Sequence, residues 1–136
     1  MSNFRGYKIE DIAGVGAHLA VVRGSNPGGV AKPGAANAPK FVGVTQEAQA
    51  NQYKAVSVQL DGIALCTMLN SGAMGDAVNI GDTAGRLVSC QTALEDLAET
   101  TAYITYIVGY AEQAWTATGD LIPVLLRPQA KLTPVT

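Results

Sequence analysis

The clearest pattern in this chain is an alternation of apolar and polar positions near its centre. Residues 56–61 read Val-Ser-Val-Gln-Leu-Asp. A period of two lets a strand bury one face and leave the other in water, so this segment predicts a half-buried strand. The flanking runs at 41–45 and 63–68 are also apolar and β-branched, which favours neighbouring antiparallel strands.

The same apolar character, interrupted by Gly-Asp and Gly-rich turns, predicts a mainly β domain. Gly109 lies within the longest aromatic run and indicates a bulge or a close backbone approach. Pro123 indicates an edge position or a bulge in the last strand. The further predicted strands are residues 17–23, 77–80, 86–91, 102–115 and 121–126.

The two ends of the predicted β region differ from its centre. Residues 2–16 show neither helical nor strand periodicity, so we expect residues 1–16 to form an extended N-terminal arm and residues 17–136 a single β-rich domain. A chain of 136 residues suits one domain that buries roughly two thirds of its unfolded surface. Residues 92–100 have helical spacing and predict at most one short helix, whereas 31–40 predict an extended loop.

Composition narrows the classes of partner. The net charge is −2 and the nine basic residues are scattered singly, which argues against direct binding of nucleic acid. No apolar run approaches the roughly 18 residues of a membrane span, and no signal peptide is evident, so we expect no membrane contact and a cytosol-like compartment. Charged residues make up 15% of the chain against 48% hydrophobic ones, which indicates buried intersubunit surface.

Residues suited to catalysis or metal binding are few. His18 is the one histidine and lies in no nucleophile or metal motif, so it is interpreted as structural. Cys66 and Cys90 lie in apolar, strand-like segments and are expected to be reduced core residues, with a disulfide as the alternative. We therefore predict a protein that is not an enzyme and has no cofactor, no metal and no catalytic residue; an enzyme would need a partner chain to complete a site around His18.

Three other motifs have a simpler structural interpretation. Gly14-Val-Gly16 begins a dinucleotide fingerprint but lacks its third glycine, so a kink is favoured. The Gly-Asp pairs at Gly75, Gly81 and Gly119 are too far apart in sequence for a calcium loop and predict turns. Glu95, Asp96 and Glu99 are interpreted as a solvated helix face rather than as paired catalytic carboxylates.

An aromatic cluster near the C-terminus has two interpretations. It consists of Tyr103, Tyr106, Tyr110 and Trp115. We interpret it as core or as the seam of a trimer, and the alternative is a stacking platform for sugars. Exposure separates the two, because a platform must show its aromatic faces to solvent whereas a core or a seam hides them.

The order of these segments resembles that of the capsid decoration proteins, also called cement or head-stabilising proteins, of tailed bacteriophages. The resemblance spans residues 41–127 and follows the succession Phe41-Val-Gly-Val-Thr, Val56-Ser-Val-Gln-Leu-Asp-Gly-Ile-Ala, Gly75-Asp-Ala-Val, Gly85-Arg-Leu-Val, Ile107-Val-Gly-Tyr-Ala-Glu-Gln-Ala and Gly119-Asp-Leu-Ile-Pro-Val-Leu-Leu. It implies a small barrel-like or β-tulip domain that forms a homotrimer on the outer surface of the phage head and stabilises contacts between major capsid subunits. Residues 24–40 match no feature of that family.

The resemblance also implies where the protein acts and through which residues. The protein is expected on the virion, after synthesis in the cytoplasm of the bacterial host, with the major capsid protein and further copies of itself as partners. Such proteins commonly reach onto the shell with an N-terminal arm, which would add a strand to a capsid sheet edge. The apolar residues of that segment, Phe4, Tyr7, Ile9 and Ile12, are the predicted capsid contacts. The alternative function is a carbohydrate-binding β module carried on a virion.

Overall fold

Half of the strands close into a small barrel. The computed structural model describes residues 3–90 and 103–133. The barrel consists of β1 (Phe4–Ile9), β2 (Ala20–Arg23), β3 (Gly29–Ala31), β4 (Phe41–Thr45) and β5 (Ala55–Gln59), in the spatial order β1, β3, β2, β4, β5. Val56 and Val58 point into its core, which confirms the predicted strand and the mainly β, barrel-like fold. The predicted helix at 92–100 lies outside the described residues.

The N-terminal segment differs from the predicted arm. Over Phe4–Ile9 it is the strand that closes the barrel, since it pairs antiparallel with β5 and parallel with β3. Tyr7 and Ile9 alternate into the barrel core. The pattern is hard to read from sequence because the preceding inward position is Arg5, whose guanidinium carbon lies 5.4 Å from the centre of the Tyr7 ring.

The other half of the strands forms an open sheet. It consists of β6 (Gly62–Thr67), β7 (Ala77–Ile80), β8 (Leu87–Ser89), β9 (Tyr103–Ala111) and β10 (Leu121–Thr133), in the order β6, β10, β9, β7, β8. The strand predicted at 102–115 forms over Tyr103–Ala111 and lies at the centre of this sheet. Pro123 lies inside the sheet, in register with Leu65 of β6, and its carbonyl accepts from Glu112 N–H (2.9 Å), so the prediction of an edge position or a bulge at Pro123 is wrong.

The strands β5 and β6 follow each other in sequence but do not pair. The prediction that residues 63–68 pair with the strand at 56–61 is wrong: β5 pairs with β4, whereas β6 pairs with β10. Gly62 turns the chain with a φ of 77°. The Gln59 amide donates to the Asp61 carbonyl (2.9 Å) and the Ile63 carbonyl (3.0 Å), which explains why this polar residue is buried.

The barrel and the sheet share one hydrophobic core. Ala20, Ala38 and Val44 of the barrel half pack in the same cluster as Met68 and Ile80 of the sheet half. Backbone hydrogen bonds join the two halves as well. Thr67 N–H donates to the His18 carbonyl (2.9 Å), and Ala20 N–H donates to the Gly85 carbonyl (2.9 Å). The sheet is therefore fixed against the barrel wall by apolar contacts and by main-chain bonds.

Asn37 connects the long loop after β3 to the end of the ladder between β7 and β9. Its Oδ1 accepts from Tyr106 N–H (2.9 Å) and from the Asn79 amide (3.1 Å), and its Nδ2 donates to the Ile104 carbonyl (2.8 Å). Its own N–H donates to the Ile80 carbonyl (2.7 Å). The loop predicted at 31–40 therefore supplies backbone partners beyond the last pair between β7 and β9, Asn79 with Ile107.

Replacing Asn37 by glycine is expected to lower the free energy of unfolding by about 1–3 kcal/mol, because it removes three side-chain hydrogen bonds, two of them to backbone groups of β9. Glycine tolerates the φ of 55° at this position, so only the side-chain bonds are lost. Asn70→Gly is the matched control: its φ is 62° and its side chain is exposed, so its midpoint should hardly move. Urea titrations measure both, and equal midpoints for the two variants would contradict the role of Asn37.

Gly109 marks the bulge at the centre of the sheet. Next to Gly109 the register shifts against both neighbouring strands, between Leu126 and Gln129 on β10 and between Val78 and Asn79 on β7. A Cβ at Gly109 would lie 2.1 Å from the Leu125 carbonyl oxygen. The prediction of a bulge and a close backbone approach is confirmed.

Gly109→Ala is expected to cost about 1–3 kcal/mol of stability, since the backbone of β10 must move to admit one methyl group. Gly6→Ala serves as the control, because a Cβ there meets no atom within 4 Å. Thermal unfolding followed by circular dichroism compares them. A Gly109→Ala protein as stable as Gly6→Ala would show that the bulge accommodates a side chain.

Candidate interaction surfaces

The outer face of the sheet is apolar and open. Ile63 lies opposite Leu125, and Leu65 lies opposite Pro123. Residues directly opposite each other on antiparallel strands share a face. Leu121 lies two positions before Pro123 and so projects from the same face. Ile63, Leu65 and Leu121 remain 55%, 46% and 49% exposed.

Both faces of this part of the sheet are apolar, which is typical of a sheet covered on both sides. Ala64 and Cys66 of β6, with Ile122 and Val124 of β10, point to the core. The residues between them carry no charge and make up the outer face. We name this the outer apolar face; it comprises Ile63, Leu65, Tyr110, Leu121, Pro123 and Leu125.

The structure divides the predicted aromatic cluster between two environments. Trp115 is 3% exposed and belongs to the core, where its Nε1 donates to the Leu69 carbonyl (3.1 Å). Tyr106 and Tyr110 are half-buried. Tyr110 lies opposite Leu125 on the outer apolar face and its hydroxyl accepts from the Gln129 amide (2.6 Å). The side chain of Tyr103 lies outside the described residues.

The predicted capsid contacts also separate into two pairs. Tyr7 and Ile9 are core residues of the barrel, so in this fold they are covered by the chain itself. Phe4 is 53% exposed and Ile12 is 84% exposed. Phe4 and Ile12 therefore stay available as contacts, and their part in binding a capsid remains a prediction.

The residues considered for catalysis and for ligand binding have structural roles. His18 has a φ of 60° and its Nδ1 lies 3.1 Å from the Gln46 Oε1 atom, while its main chain joins β4 and β6. In the part of the chain that the structure describes, no group of three or more His, Cys, Asp or Glu side chains could hold a metal ion. Gly14 has a φ of 75° and lies against Gln49, as a kink does.

Each Gly-Asp pair is a turn, as predicted. Asp76 accepts from Ala73 N–H (3.0 Å). Asp82 accepts from Ala84 N–H and pairs with Arg86 at 2.6 Å. Asp120 accepts from two N–H groups of the preceding turn. The three carboxylates therefore stabilise separate turns. Glu95, Asp96 and Glu99 lie outside the described residues.

The two cysteines are buried and no disulfide joins them, which confirms the prediction of core cysteines. Burial raises the pKa of the Cys66 thiol to about 12. A thiol that stays protonated is a poor nucleophile.

Comparisons with known proteins locate the fold. No protein-family model matches this sequence, and no curated protein matches it. A solved structure described as the head fiber gp8.5 N base of bacteriophage phi29 is similar, with a TM-score of 0.59 and 14% sequence identity. The match covers 93% of this chain and 95% of that chain, so the two share their fold over nearly the full length. Among the described residues, no helix has the length and apolar character needed to cross a bilayer.

The buried thiol gives a prediction for pH. Below its ordinary pKa of 9.0, the Cys66 thiol is neutral in both the folded and the unfolded chain. Between pH 9 and about 12 the unfolded chain loses the proton and the folded chain keeps it, so stability falls by about 1.4 kcal/mol per pH unit. The stability of the wild type relative to Cys66→Val should therefore decrease as the pH rises above 9, measured by urea titration. A pH-independent difference would contradict this.

Proposed function

We propose that this chain is a non-enzymatic structural protein of a bacteriophage head, which works without a cofactor. It binds the outer surface of the head and stabilises contacts between major capsid subunits. The observation that carries the proposal is the similarity of the fold, over 93% of this chain, to the base of a phage head fiber. The build of the molecule supports it, because two halves joined by a shared core and by main-chain bonds suit a part that must be rigid.

We infer that copies of the chain associate as a trimer through the outer apolar face. An exposed apolar patch of this kind is typical of a surface that a protein partner covers. Its residues lie on paired strands and so form a continuous surface, whereas single exposed apolar residues such as Met74 and Ile12 lie in loops. Closed cyclic symmetry buries the same patch on every copy.

A trimer also explains how modest contacts suffice on a head. Three copies present the same binding surface three times, and simultaneous engagement raises the overall affinity without any new contact.

The alternative, a carbohydrate-binding function, has less support. The indole of Trp115 is buried and hydrogen-bonded, so it cannot offer a face to a sugar ring.

Two measurements test the proposed function. Sedimentation with heads of the phage that encodes the chain, prepared without this protein, should deplete it from solution. Light scattering should give the mass of three chains. The double variant Leu65→Ser, Leu121→Ser should shift the protein toward monomers, because it removes apolar area from the outer apolar face.

The control is Ile12→Ser with Met74→Ser, which changes apolar residues in loops that are more exposed, at 84% and 71%. It should keep the mass of the wild type. If both double variants stayed trimeric, the outer apolar face would not be the seam. If the wild type did not sediment with heads, the proposed role on the head would be wrong.

A further inference from the structure

The strand β1 has a partner along its full length on one side only. It pairs with β5 from Phe4 to Lys8, but with β3 only at Lys8 and Ile9. The strand β3 begins at Gly29, and Pro27 and Gly28 before it form a turn rather than a strand. The first half of β1 is therefore an open edge of the barrel wall.

The hydrogen bonds show which main-chain groups face this edge. Ile9 N–H donates to the Lys54 carbonyl (3.1 Å), and the Asn3 carbonyl accepts from Leu60 N–H (2.8 Å), so the odd-numbered residues of β1 bond toward β5. Lys8 N–H donates to the Gly28 carbonyl (2.9 Å) on the opposite side. Antiparallel pairing alternates along the strand. The N–H and carbonyl groups of Phe4 and Gly6 therefore point outward, and no strand among the described residues pairs with them.

A cavity lies beside these groups. Its volume is about 330 Å³, and it is lined by Gly6, Tyr7, Lys8, Pro27, Gly28 and Ala55. A Cβ on Gly6 would meet no heavy atom within 4 Å. The missing side chain of Gly6 thus leaves room beside the open edge, enough for a side chain of an added strand.

The far wall of the cavity is held in place by Glu10. Its carboxylate accepts from Ser25 N–H (2.8 Å) and Asn26 N–H (3.0 Å) in the turn that carries Pro27. These two backbone N–H groups hold the pKa of Glu10 below its ordinary value of 4.5. Gly24 and Gly29 give the carboxylate its space, since a Cβ on either would collide with it. The wall is fixed before any partner binds.

Cationic side chains of β1 lie beside the open edge without an anionic partner. Arg5 and Lys8 are exposed, and neither forms an ion pair within the described part of the chain. The carboxylates of Asp61 and Glu10 are instead held by N–H groups, those of Asn3 (2.7 and 2.8 Å) and those of Ser25 and Asn26. A partner segment that carries acidic residues would therefore pair with Arg5 and Lys8.

We propose that the open edge of β1 accepts an extended, acidic peptide segment of a partner protein, which pairs with Phe4 and Gly6 as an added strand and places a side chain in the cavity over Gly6. Main-chain bonds supply affinity in this mode and the pocket supplies selectivity. The inference rests on the proposed function for the identity of the partner, a protein of the head surface. The strand addition predicted from sequence is thereby reversed: the N-terminal segment receives a strand rather than donating one.

The first test uses displayed random peptides of about eight residues, the length of a typical strand with its flanks. Selection against the immobilised wild type should enrich peptides with acidic and β-branched residues. A bound peptide should slow hydrogen exchange at the amides of Phe4 and Gly6, measured by NMR. Gly6→Val places a branched side chain in the space over the open edge and should weaken binding about tenfold or more, as should Lys8→Glu.

Two control variants make the same kinds of substitution at positions away from the open edge. Gly34→Val adds the same side chain at a position that also has open space, and Lys40→Glu reverses an exposed charge elsewhere.

A further test variant changes the main chain of the edge itself. Gly6→Pro removes the outward N–H group without removing a bond to β5 and should also abolish binding. Enriched peptides that bind Gly6→Val as well as the wild type, or slow exchange at Gly6 in the protein alone, would overturn the proposal.

Sedimentation with heads separates the two proposals. Loss of sedimentation by Gly6→Val, with Gly34→Val unaffected, supports the edge as the contact with the head. Equal sedimentation of wild type and Gly6→Val refutes that contact and leaves the function on the head intact. If the wild type itself does not sediment, the proposed function falls, and the peptide measurements alone decide whether the edge binds a strand.

Discussion

Closure of the barrel by its first strand is the constraint on which the rest of the structure depends. The strand β1 lies between β5, which ends about fifty residues later in the chain, and β3, so both contacts are nonlocal. Without β1 the edges of β5 and β3 would be open and the core would lose Tyr7 and Ile9. The same closure is incomplete, because β3 is three residues long and β1 is six. The difference in length leaves the open edge beside Gly6.

The barrel and the sheet behave as one body because their connections are short and of several kinds. The core cluster that includes Ala20, Val44 and Met68 is common to both halves. Gly85, with a φ of 92°, brings its backbone so close to Ala20 that a Cβ would lie 2.4 Å from the Ala20 carbonyl oxygen. Asn37 adds directional bonds where apolar contact alone would allow sliding. Apolar burial supplies most of the attraction, and the polar contacts fix the register.

Sequence predicted the individual strands better than their arrangement. The alternation at 56–61 and the bulge at Gly109 are local signals, and both are confirmed. The partner of β6 depends on the turn at Gly62, and the inward side of β1 is obscured by Arg5, so neither could be read from periodicity alone. The role of Asn37 depends on where the pairing of β7 with β9 ends, and the outer apolar face depends on which strands are neighbours in the sheet. The run at 121–126 predicts a strand, but only the topology shows that one of its faces lacks a cover.

The two surfaces lie on different halves of the molecule, and this separation has a consequence for assembly. The outer apolar face belongs to β6, β9 and β10 of the sheet, whereas the open edge belongs to β1 of the barrel. The proposed self-association through the sheet would therefore leave the barrel edge accessible. The open edge offers the outward groups of only two residues, Phe4 and Gly6, so one strand addition is weak by itself. Three copies joined through their sheets would present three such edges at fixed spacing, and binding would then require a surface that repeats with the same symmetry. An icosahedral shell has such a surface, whereas a single soluble capsid subunit does not.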